Sequence, residues 1–347
     1  KGRCLFMPLP LLAVLGLGGA AFLGLGAHVT ANDTNLCAKN IVRMAQEKYE
    51  AEYARLEKKN ASMQESLRKL GMSKETAIKK TLPDFMKAYQ EFKNSKLDES
   101  KYDLNVPGVT AANLALPSTD ELETWQAALG SAAVGTASAV AVSLAASGMA
   151  PIALSLASVG GTALTIGEVG LAASAFGGAA STALSFTPFG VIAAPVALIS
   201  GIAADMQADA NMEKAQAAEA KVDAEVEKIK TQVVWCNAVI RRADELNKTL
   251  KLSMELLASC TKEMENILAC MPQAKSAEER TQLLTKHERN VIGVGRALAA
   301  AVKQIVVVAL LEENKKDLTK KSAEICTDVK KSLPQYTALL QENNAVD

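Results

Sequence analysis

Few side chains in this sequence could carry out catalysis. Only two histidines are present: His28 lies in an apolar N-terminal stretch and His287 in a charged, helix-like stretch. They allow neither a catalytic triad nor a histidine-rich metal site. Gly16, Gly18 and Gly19 lie within the apolar stretch rather than between a strand and a helix, which excludes a phosphate-binding loop. We therefore expect no enzyme activity, cofactor, metal site or small-molecule substrate, and we interpret His287 as a solvated surface residue.

One carboxylate, Glu168, is a separate candidate for chemistry because it stands alone in an apolar run. It is the only ionisable side chain between Glu123 and Asp205. A carboxylate inside a membrane is a candidate for an ion or proton path. Since glycines flank it in Gly167-Glu168-Val169-Gly170, we favour an exposed hairpin tip, where protonation would ease passage across a bilayer.

Six cysteines could form crosslinks. Cys4 lies in the N-terminal stretch, and the spacing of the other five fits neither a zinc site nor a C-x-x-C motif. We expect one or two disulfides between long helices, with at least one thiol left over or paired between chains. The candidates are Cys37, Cys236, Cys260, Cys270 and Cys326.

The N-terminal region is typical of a secretory signal or a membrane anchor. Residues 5–25 are apolar, and Val29-Thr30-Ala31 offers the small residues that signal peptidase prefers. We favour cleavage before Asn32 over retention of residues 1–31 as an anchor. Three glycosylation sequons agree with a secreted or lumenal location, although such triplets also arise by chance. Their acceptors are Asn32, Asn60 and Asn247.

Composition and periodicity predict an all-α protein. The net charge is zero and aromatic residues make up only 4%, so we expect no nucleic-acid partner. The charged stretches repeat at helical spacing, whereas strand-like alternation never persists. We predict a long-helix bundle or coiled coil with a central apolar helical hairpin. The predicted regions are a signal or anchor (1–31), an N-terminal helical region (32–117), the hairpin (118–205), a long coiled-coil helix (206–272) and C-terminal helices (273–347).

The N-terminal helical region should contain two helices. Gly71 is expected to end the first, and Ser73 to cap a second piece that Pro83 interrupts. The first helix has an apolar side and the second an aromatic one. Their residues are Ile41, Met44, Ala45, Leu56, Met63, Leu67 and Leu70 in the first, and Phe85, Tyr89 and Phe92 in the second.

The apolar segment predicts a helical hairpin that can enter a membrane. Ser118 and Glu121 form a capping box that begins its first helix. Pro151 and Pro188 lie on either side of the tip and should kink or break the two arms. Small residues at every fourth position allow the close backbone approach of helices packed in lipid. The predicted membrane-inserting residues are Ser131, Gly135, Ala139, Ser143, Pro151, Gly167, Glu168, Gly170, Ser174, Gly178 and Pro188.

Small-residue ladders also occur in tightly packed soluble bundles, so the strength of the apolar signal matters. The larger apolar residues of the first quarter contribute on the order of −2 kcal/mol to membrane insertion. So weak a preference suits a segment that is stored in a soluble fold and inserted later.

Beyond Asp205, apolar residues alternate in steps of four and three over seven heptads, which is typical of a coiled coil. Neither glycine nor proline occurs between Gly201 and Pro272. The partner could be the helix of residues 37–70, another copy of the chain or the C-terminal helices. Because Asn247 lies in this seam, we favour its burial over glycosylation. The predicted seam is Val222, Val226, Ile229, Val233, Cys236, Ile240, Ala243, Asn247, Leu250, Met254, Leu257, Thr261, Met264, Leu268 and Met271.

The C-terminal region predicts two further helices. A capping box of Ser276 and Glu279 should begin the first, which becomes very apolar over 291–311. We favour a buried core helix there over a second membrane hairpin. The tail that follows reads as an amphipathic helix bent at Pro334.

This layout resembles two families. Gly148-Met149-Ala150-Pro151 and the tail from Leu310 to Leu340 are similar in character to the apolipoprotein L family. The architecture over 37–345 is similar to helical pore-forming toxins of the cytolysin A and haemolysin BL type. Both resemblances imply a membrane-active α-helical protein.

We hypothesise that the hairpin, residues 124–204, inserts into lipid and forms a pore or channel by oligomerising. The expected partners are membrane lipid and either further copies of the chain or another coiled-coil protein. Two alternatives are a non-conducting scaffold subunit of a membrane assembly and a lipid carrier that binds reversibly through amphipathic helices.

Overall fold

The computed structural model describes residues 23–94, 115–131, 185–187, 190–192, 212–270, 284–312 and 317–341. Helices account for nearly all of these residues, which confirms the all-α prediction. The elements are α1 (Leu23–Thr76), a π-helical segment (Ala77–Thr81), α2 (Leu82–Asn94), α3 (Thr119–Ser131), β1 (Ser185–Thr187), β2 (Gly190–Ile192), α4 (Met212–Cys270), α5 (Lys286–Val307) and α6 (Lys320–Gln341).

The first long helix does not end where the sequence predicted. Gly71 is buried within α1, and the helix continues through Ser73 to Thr76. Glycine weakens a helix interior by roughly 0.5–1 kcal/mol, which tertiary packing on both sides of this position offsets. The predicted stop at Gly71 and cap at Ser73 are therefore wrong.

The break comes instead at the π-helical segment, directly before Pro83. The amide of Leu82 donates to the carbonyl of Ala77, which is the wider hydrogen-bond spacing of a π-helix. Pro83 has no amide hydrogen, so the next bond in that pattern, to the carbonyl of Ile78, cannot form. Proline at this position thus leaves one carbonyl to be satisfied from outside the helix.

The chain divides into two compact units. The described residues of the first lie within 23–59 and 185–234, and those of the second within 60–131 and 235–341. In the first unit, α1 and α4 run parallel, with Lys48 Nζ 2.7 Å from Asp223 Oδ1. Further along, Lys230 of α4 interacts electrostatically with Glu52 of α1. The residue numbers of facing positions thus increase together on the two helices, as they do when helices are parallel.

The apolar side of α1 in the first unit differs in part from the predicted one. Met44 is 65% exposed, and Ile41 is half-buried. The stripe instead passes from Ala45 through Tyr49 and Tyr53, whose ring centroids lie 6.1 Å apart, to Leu56. These four positions share one helical face, and that face packs inward.

In the second unit, α1 and α4 are again parallel. Cys236 Sγ donates to Asn60 Oδ1 at 3.1 Å, and Ser73 Oγ donates to Asn247 Oδ1 at 2.7 Å. The long helix therefore packs against α1, one of the three predicted alternatives, and the C-terminal helices contact it as well, since Thr249 Oγ1 lies 3.4 Å from Cys326 Sγ of α6. The predicted residues Met63, Leu67 and Leu70 of α1 are fully or almost fully buried.

The buried face of α4 in this unit is wider than the predicted seam. Ile240, Asn247, Met254 and Leu268 are only half-buried. The second row of the seam lies one residue earlier than predicted, because α5 and α6 also contact α4, through Gly295 beside Cys260 and through Cys326 beside Thr249. Its buried members are Val239, Leu246, Ser253, Cys260 and Ile267, beside the predicted Ala243, Leu250, Leu257, Thr261 and Met264.

Helices α5 and α6 form an antiparallel pair. A β-bridge between Leu311 and Leu318 closes the connection, and Asn290 Nδ2 donates to the carbonyl of Leu339 at the other end. Ile325, Val329 and Leu333 of α6 are buried, which confirms the amphipathic tail. Pro334 lies inside α6.

The helix α5 begins at a different cap from the one predicted. Thr285 and Glu288 form its capping box, so the apolar helix starts at Lys286. Ser276 and Glu279 lie outside the described residues. One face of α5 approaches its neighbours closely, since a Cβ built on Gly295 would lie 3.0 Å from Phe85 Cε2.

Candidate membrane-inserting segment and its anchor

Most of the predicted membrane-inserting residues lie outside the described residues. Ser131 is the exception, as the last residue of α3. The others are Gly135, Ala139, Ser143, Pro151, Gly167, Glu168, Gly170, Ser174, Gly178 and Pro188.

Two short strands replace helix on either side of Pro188. Phe186 pairs with Val191, and Ser185 pairs with Ile192, in an antiparallel ladder. The prediction of a helical arm is therefore wrong for these six residues. Aromatic and β-branched side chains favour extended backbone, and a proline between the strands cannot continue a helix.

The helix α3 is the described start of the apolar segment. Glu121 N donates to Ser118 Oγ at 3.0 Å, and Ser118 N donates to Glu121 Oε2 at 2.9 Å. Each bond satisfies an amide that a helix start would otherwise leave without a partner. The predicted capping box is confirmed, and it sets where this segment begins.

One face of α3 is docked on the second unit. Leu122, Trp125, Ala128 and Leu129 are all less than 10% exposed, and α3 packs against the π-helical segment. The outer face is exposed. The stem of the apolar segment is therefore attached to the helical body through a narrow apolar stripe.

A side-chain amide completes this contact. Gln126 Nε2 donates to the carbonyl of Ile78 at 3.2 Å. This is the carbonyl that Pro83 leaves without a donor in the π-helical pattern. Pro83 thus leaves the Ile78 carbonyl available to accept the hydrogen bond from α3.

Lys303 of α5 holds the first turn of α3. Its Nζ lies 2.8 Å from Glu121 Oε2 and 3.2 Å from the carbonyl of Leu116. The Lys303 side chain is 16% exposed and that of Glu121 42%. Burial raises the pKa of Glu121, but the bonds from Lys303 and Ser118 lower it more, and the pKa lies below its ordinary value.

The other cation within the apolar part of α5, Arg296, lies one heptad before Lys303 on the same helical face. Its guanidinium carbon is 5.6 Å from the centre of the Tyr89 ring of α2. Cations over aromatic faces are attracted by the ring quadrupole. The two charges that interrupt this apolar helix in the sequence thus point to neighbouring helices.

The helix α5 itself is a core helix. Among the described residues it is the one helix long and apolar enough to cross a membrane, and 67% of that stretch is buried in the fold. Val294, Leu298 and Val302 are fully buried. This agrees with the favoured interpretation of residues 291–311.

A buried lysine lies at the far end of α5. Lys74 is 0% exposed, and its Nζ donates to the carbonyl of Val308 at 2.9 Å. Val308 is the C-cap of α5, where carbonyls lack helical partners and the helix dipole favours a cation. Burial lowers the pKa of Lys74 to about 7.

The predicted disulfides are not present among the described cysteines. Cys236, Cys260 and Cys270 lie on one helix at least ten residues apart, about 15 Å by helical rise. Cys326 Sγ lies 3.4 Å from Thr249 Oγ1, and Thr249 is eleven or more residues from any cysteine of α4. Disulfide geometry requires Cα atoms within about 7 Å, so these four cannot pair with one another.

Two of the three sequons lie at helix contacts. Asn60 and Asn247 are half-buried, and each side-chain oxygen accepts the cross-helix bond described above. A glycan on either amide would have to displace the facing helix. Asn247 thus faces α1, and the side chain of Asn32 lies outside the described residues.

His287 is not the solvated surface residue that was predicted. Its side chain is 22% exposed, and Nε2 lies 3.5 Å from Glu263 Oε1 of α4. Nδ1 is buried without a hydrogen bond. Within the described part of the chain, no group of three or more acidic, histidine or cysteine side chains could hold a metal.

Sequence reasoning missed the residues that anchor α3. Lys303 and Arg296 could have been singled out in the sequence, because two cations seven residues apart in an apolar helix lie on one face. Nothing in the sequence around Lys74 or Gln126 marks their partners. Comparison of this chain with protein-family models, with curated proteins and with solved structures finds no match.

Proposed function

We propose that this protein is membrane-active, and that its apolar segment, residues 124–204, inserts into lipid bilayers and forms a pore or channel by oligomerising. The proposed partners are membrane lipid and further copies of the chain, and the proposed location is secreted or lumenal. No catalytic step is part of this proposal.

The observation that carries the proposal is the contrast between the apolar segment and its stem. The segment has one ionisable residue between Glu123 and Asp205. Its stem, α3, is docked by four apolar side chains and two polar contacts. A small attachment of this kind is compatible with release of the stem.

Energetics support a stored rather than a permanently embedded segment. The first quarter of the segment favours insertion by only about 2 kcal/mol on the membrane scale. Burial of the apolar face of α3 contributes more, at roughly 1.5–3 kcal/mol for each of its three large apolar side chains. Docking of the stem is therefore favoured over insertion of the first quarter alone, which agrees with a stored segment.

Leakage of a self-quenched dye from liposomes tests the proposal. The matched comparison is the full chain beside a variant that lacks residues 132–184, which retains every described residue. We expect leakage from the full chain and little from the deletion variant. Equal leakage from both would refute a membrane role for this segment.

A charge scan separates insertion from general surface effects. Ala139→Asp places a carboxylate in the predicted ladder, where a charge at the bilayer centre costs about 2.5–3.5 kcal/mol. Ala217→Asp adds the same charge on the exposed face of α4. We expect the first substitution to reduce leakage strongly and the second to leave it unchanged.

Extraction of membranes with alkaline carbonate discriminates the scaffold alternative. A permanently embedded scaffold stays wholly in the membrane pellet and causes no leakage. A stored segment gives both a soluble and a membrane-bound pool of the same chain.

A further inference from the structure

The stem α3 is tied to the helical body at two points of different chemistry. At its first turn, the ammonium of Lys303 bonds the carboxylate of Glu121 and the carbonyl of Leu116. In its middle, Gln126 bonds a backbone carbonyl through a neutral hydrogen bond. Charge-assisted hydrogen bonds are roughly twice as strong as neutral ones. The Lys303 contact is therefore the stronger of the two ties.

Lys303 lies on the helix of this contact that is packed in the core. It lies on α5, between the fully buried Val302 and the buried pair Ile305 and Val306. The ammonium reaches outward from a core helix to a helix that buries only one face. Motion that breaks the bond is therefore motion of α3 rather than of α5.

The contact also joins two chain segments that local structure does not hold together. Glu121 and Lys303 are 182 positions apart in the sequence. The capping box of α3 needs only Ser118 and Glu121, so it persists when α3 leaves the body. Release of the stem then breaks this ion pair, the hydrogen bond from Gln126 to the carbonyl of Ile78 and the apolar contacts, and the helix itself stays formed.

We propose that Lys303 is an autoinhibitory latch that holds α3 on the helical body and restrains the apolar segment that follows it. This inference rests on the proposed membrane function, because the latch regulates that segment. The latched state is the docked α3 of the structure. The unlatched state has α3 detached, with Lys303 and Glu121 both hydrated.

Amide hydrogen exchange across 119–131, in buffer without lipid, measures latching independently of any membrane activity. Acrylamide quenching of Trp125 in a Trp235→Phe background reports the same event, because Trp125 is then the only tryptophan and is 9% exposed in the docked state. Lys303→Met removes the charge, and Glu121→Gln removes the pair while a glutamine still serves the capping box.

We expect either substitution to speed exchange across α3 about fivefold to tenfold. The double variant should match Lys303→Met, because that substitution already removes the bonds to both Glu121 and Leu116. Lys303→Arg should restore slow exchange. The control Lys69→Met breaks an exposed pair with Glu65 in the same unit and should change nothing.

Unchanged α3 exchange in both single variants would overturn the latch, whatever the leakage assay shows. Faster exchange without faster dye leakage, where the full chain still leaks more than the deletion variant, would also overturn it as a restraint on insertion. Faster exchange together with faster leakage supports it. Equal leakage by the full chain and the deletion variant would refute the membrane function instead, so the two failures are distinguishable.

Discussion

Substitution of Lys74 by methionine should stabilise the second unit near neutral pH. The side chain is completely buried, and burial lowers its pKa from 10.5 to about 7. At 1.36 kcal/mol for each pH unit, that difference corresponds to ~5 kcal/mol of lost stability when the ammonium is charged in both states. Methionine fills a similar volume without a charge.

The gain is smaller than that figure because the hydrogen bond to Val308 is lost. The carbonyl of Val308 accepts from Lys74 Nζ, and a buried carbonyl left unsatisfied costs about 1–3 kcal/mol. We therefore expect Lys74→Met to raise the free energy of unfolding by ~2 kcal/mol at neutral pH, by combining the two terms.

The sign of this effect depends on pH. The pKa of Lys74 is lower in the folded state than in the unfolded state, so the stabilising contribution of its neutral amine is complete above pH 10.5. That contribution falls as the pH falls and is gone below about pH 7. The advantage of the methionine variant is thus largest at and below pH 7, and the wild type is the more stable protein at high pH.

Guanidinium unfolding followed by tryptophan fluorescence measures this difference. Both tryptophans, Trp125 and Trp235, lie in the second unit, so the signal reports the unit that contains Lys74. Lys69→Met, at an exposed position of the same helix, is the matched control and should show no comparable pH dependence. Parallel stability profiles for wild type and Lys74→Met between pH 7 and pH 9 would refute the assignment of a buried, titrating lysine.

Three further predictions concern packing, capping and thiol reactivity in the second unit. Gly295→Ala places a Cβ 3.0 Å from Phe85 Cε2 and should lower the free energy of unfolding by about 1–3 kcal/mol. Part of this loss should be recovered when Phe85→Leu is added. An equal loss in both backgrounds would contradict the close contact. Thr285→Ala removes the capping box of α5 and should cost about 1 kcal/mol in the same unfolding assay. Burial raises the pKa of the Cys260 thiol to about 12, so alkylation at mildly alkaline pH should label exposed Cys270 at least about a hundredfold faster, as read by mass spectrometry; similar rates would contradict the buried position.

Features set by neighbours in the chain were predictable from the sequence. The capping box of Ser118 and Glu121 involves residues three positions apart, and its hydrogen bonds are those expected. Likewise, Phe85, Tyr89 and Phe92 lie on one buried face because their spacing follows the helical period. The stop at Gly71 failed because a single helix-weakening residue is overridden by packing on both sides.

The buried rows of α4 show where sequence periodicity was insufficient. A two-helix seam predicts one narrow stripe, whereas α4 in the second unit is covered by three helices, and Val239, Leu246 and Cys260 become core residues. The number of neighbours decides how wide a buried face is, and that number depends on distant parts of the chain. The absence of disulfides among the described cysteines has a different cause, because Cys236, Cys260 and Cys270 lie at least ten residues apart on one helix and cannot meet.

The sequence by itself determined that this is a helical protein, where several helices begin, and that one long segment has almost no charge. Those properties follow from side-chain type and from spacing within a few residues. Only the tertiary structure decided that α1 and α4 run parallel, that Lys74 is buried, and that Lys303 meets Glu121. Each of these joins residues more than a hundred positions apart or depends on what covers a face, and no local pattern encodes such a meeting.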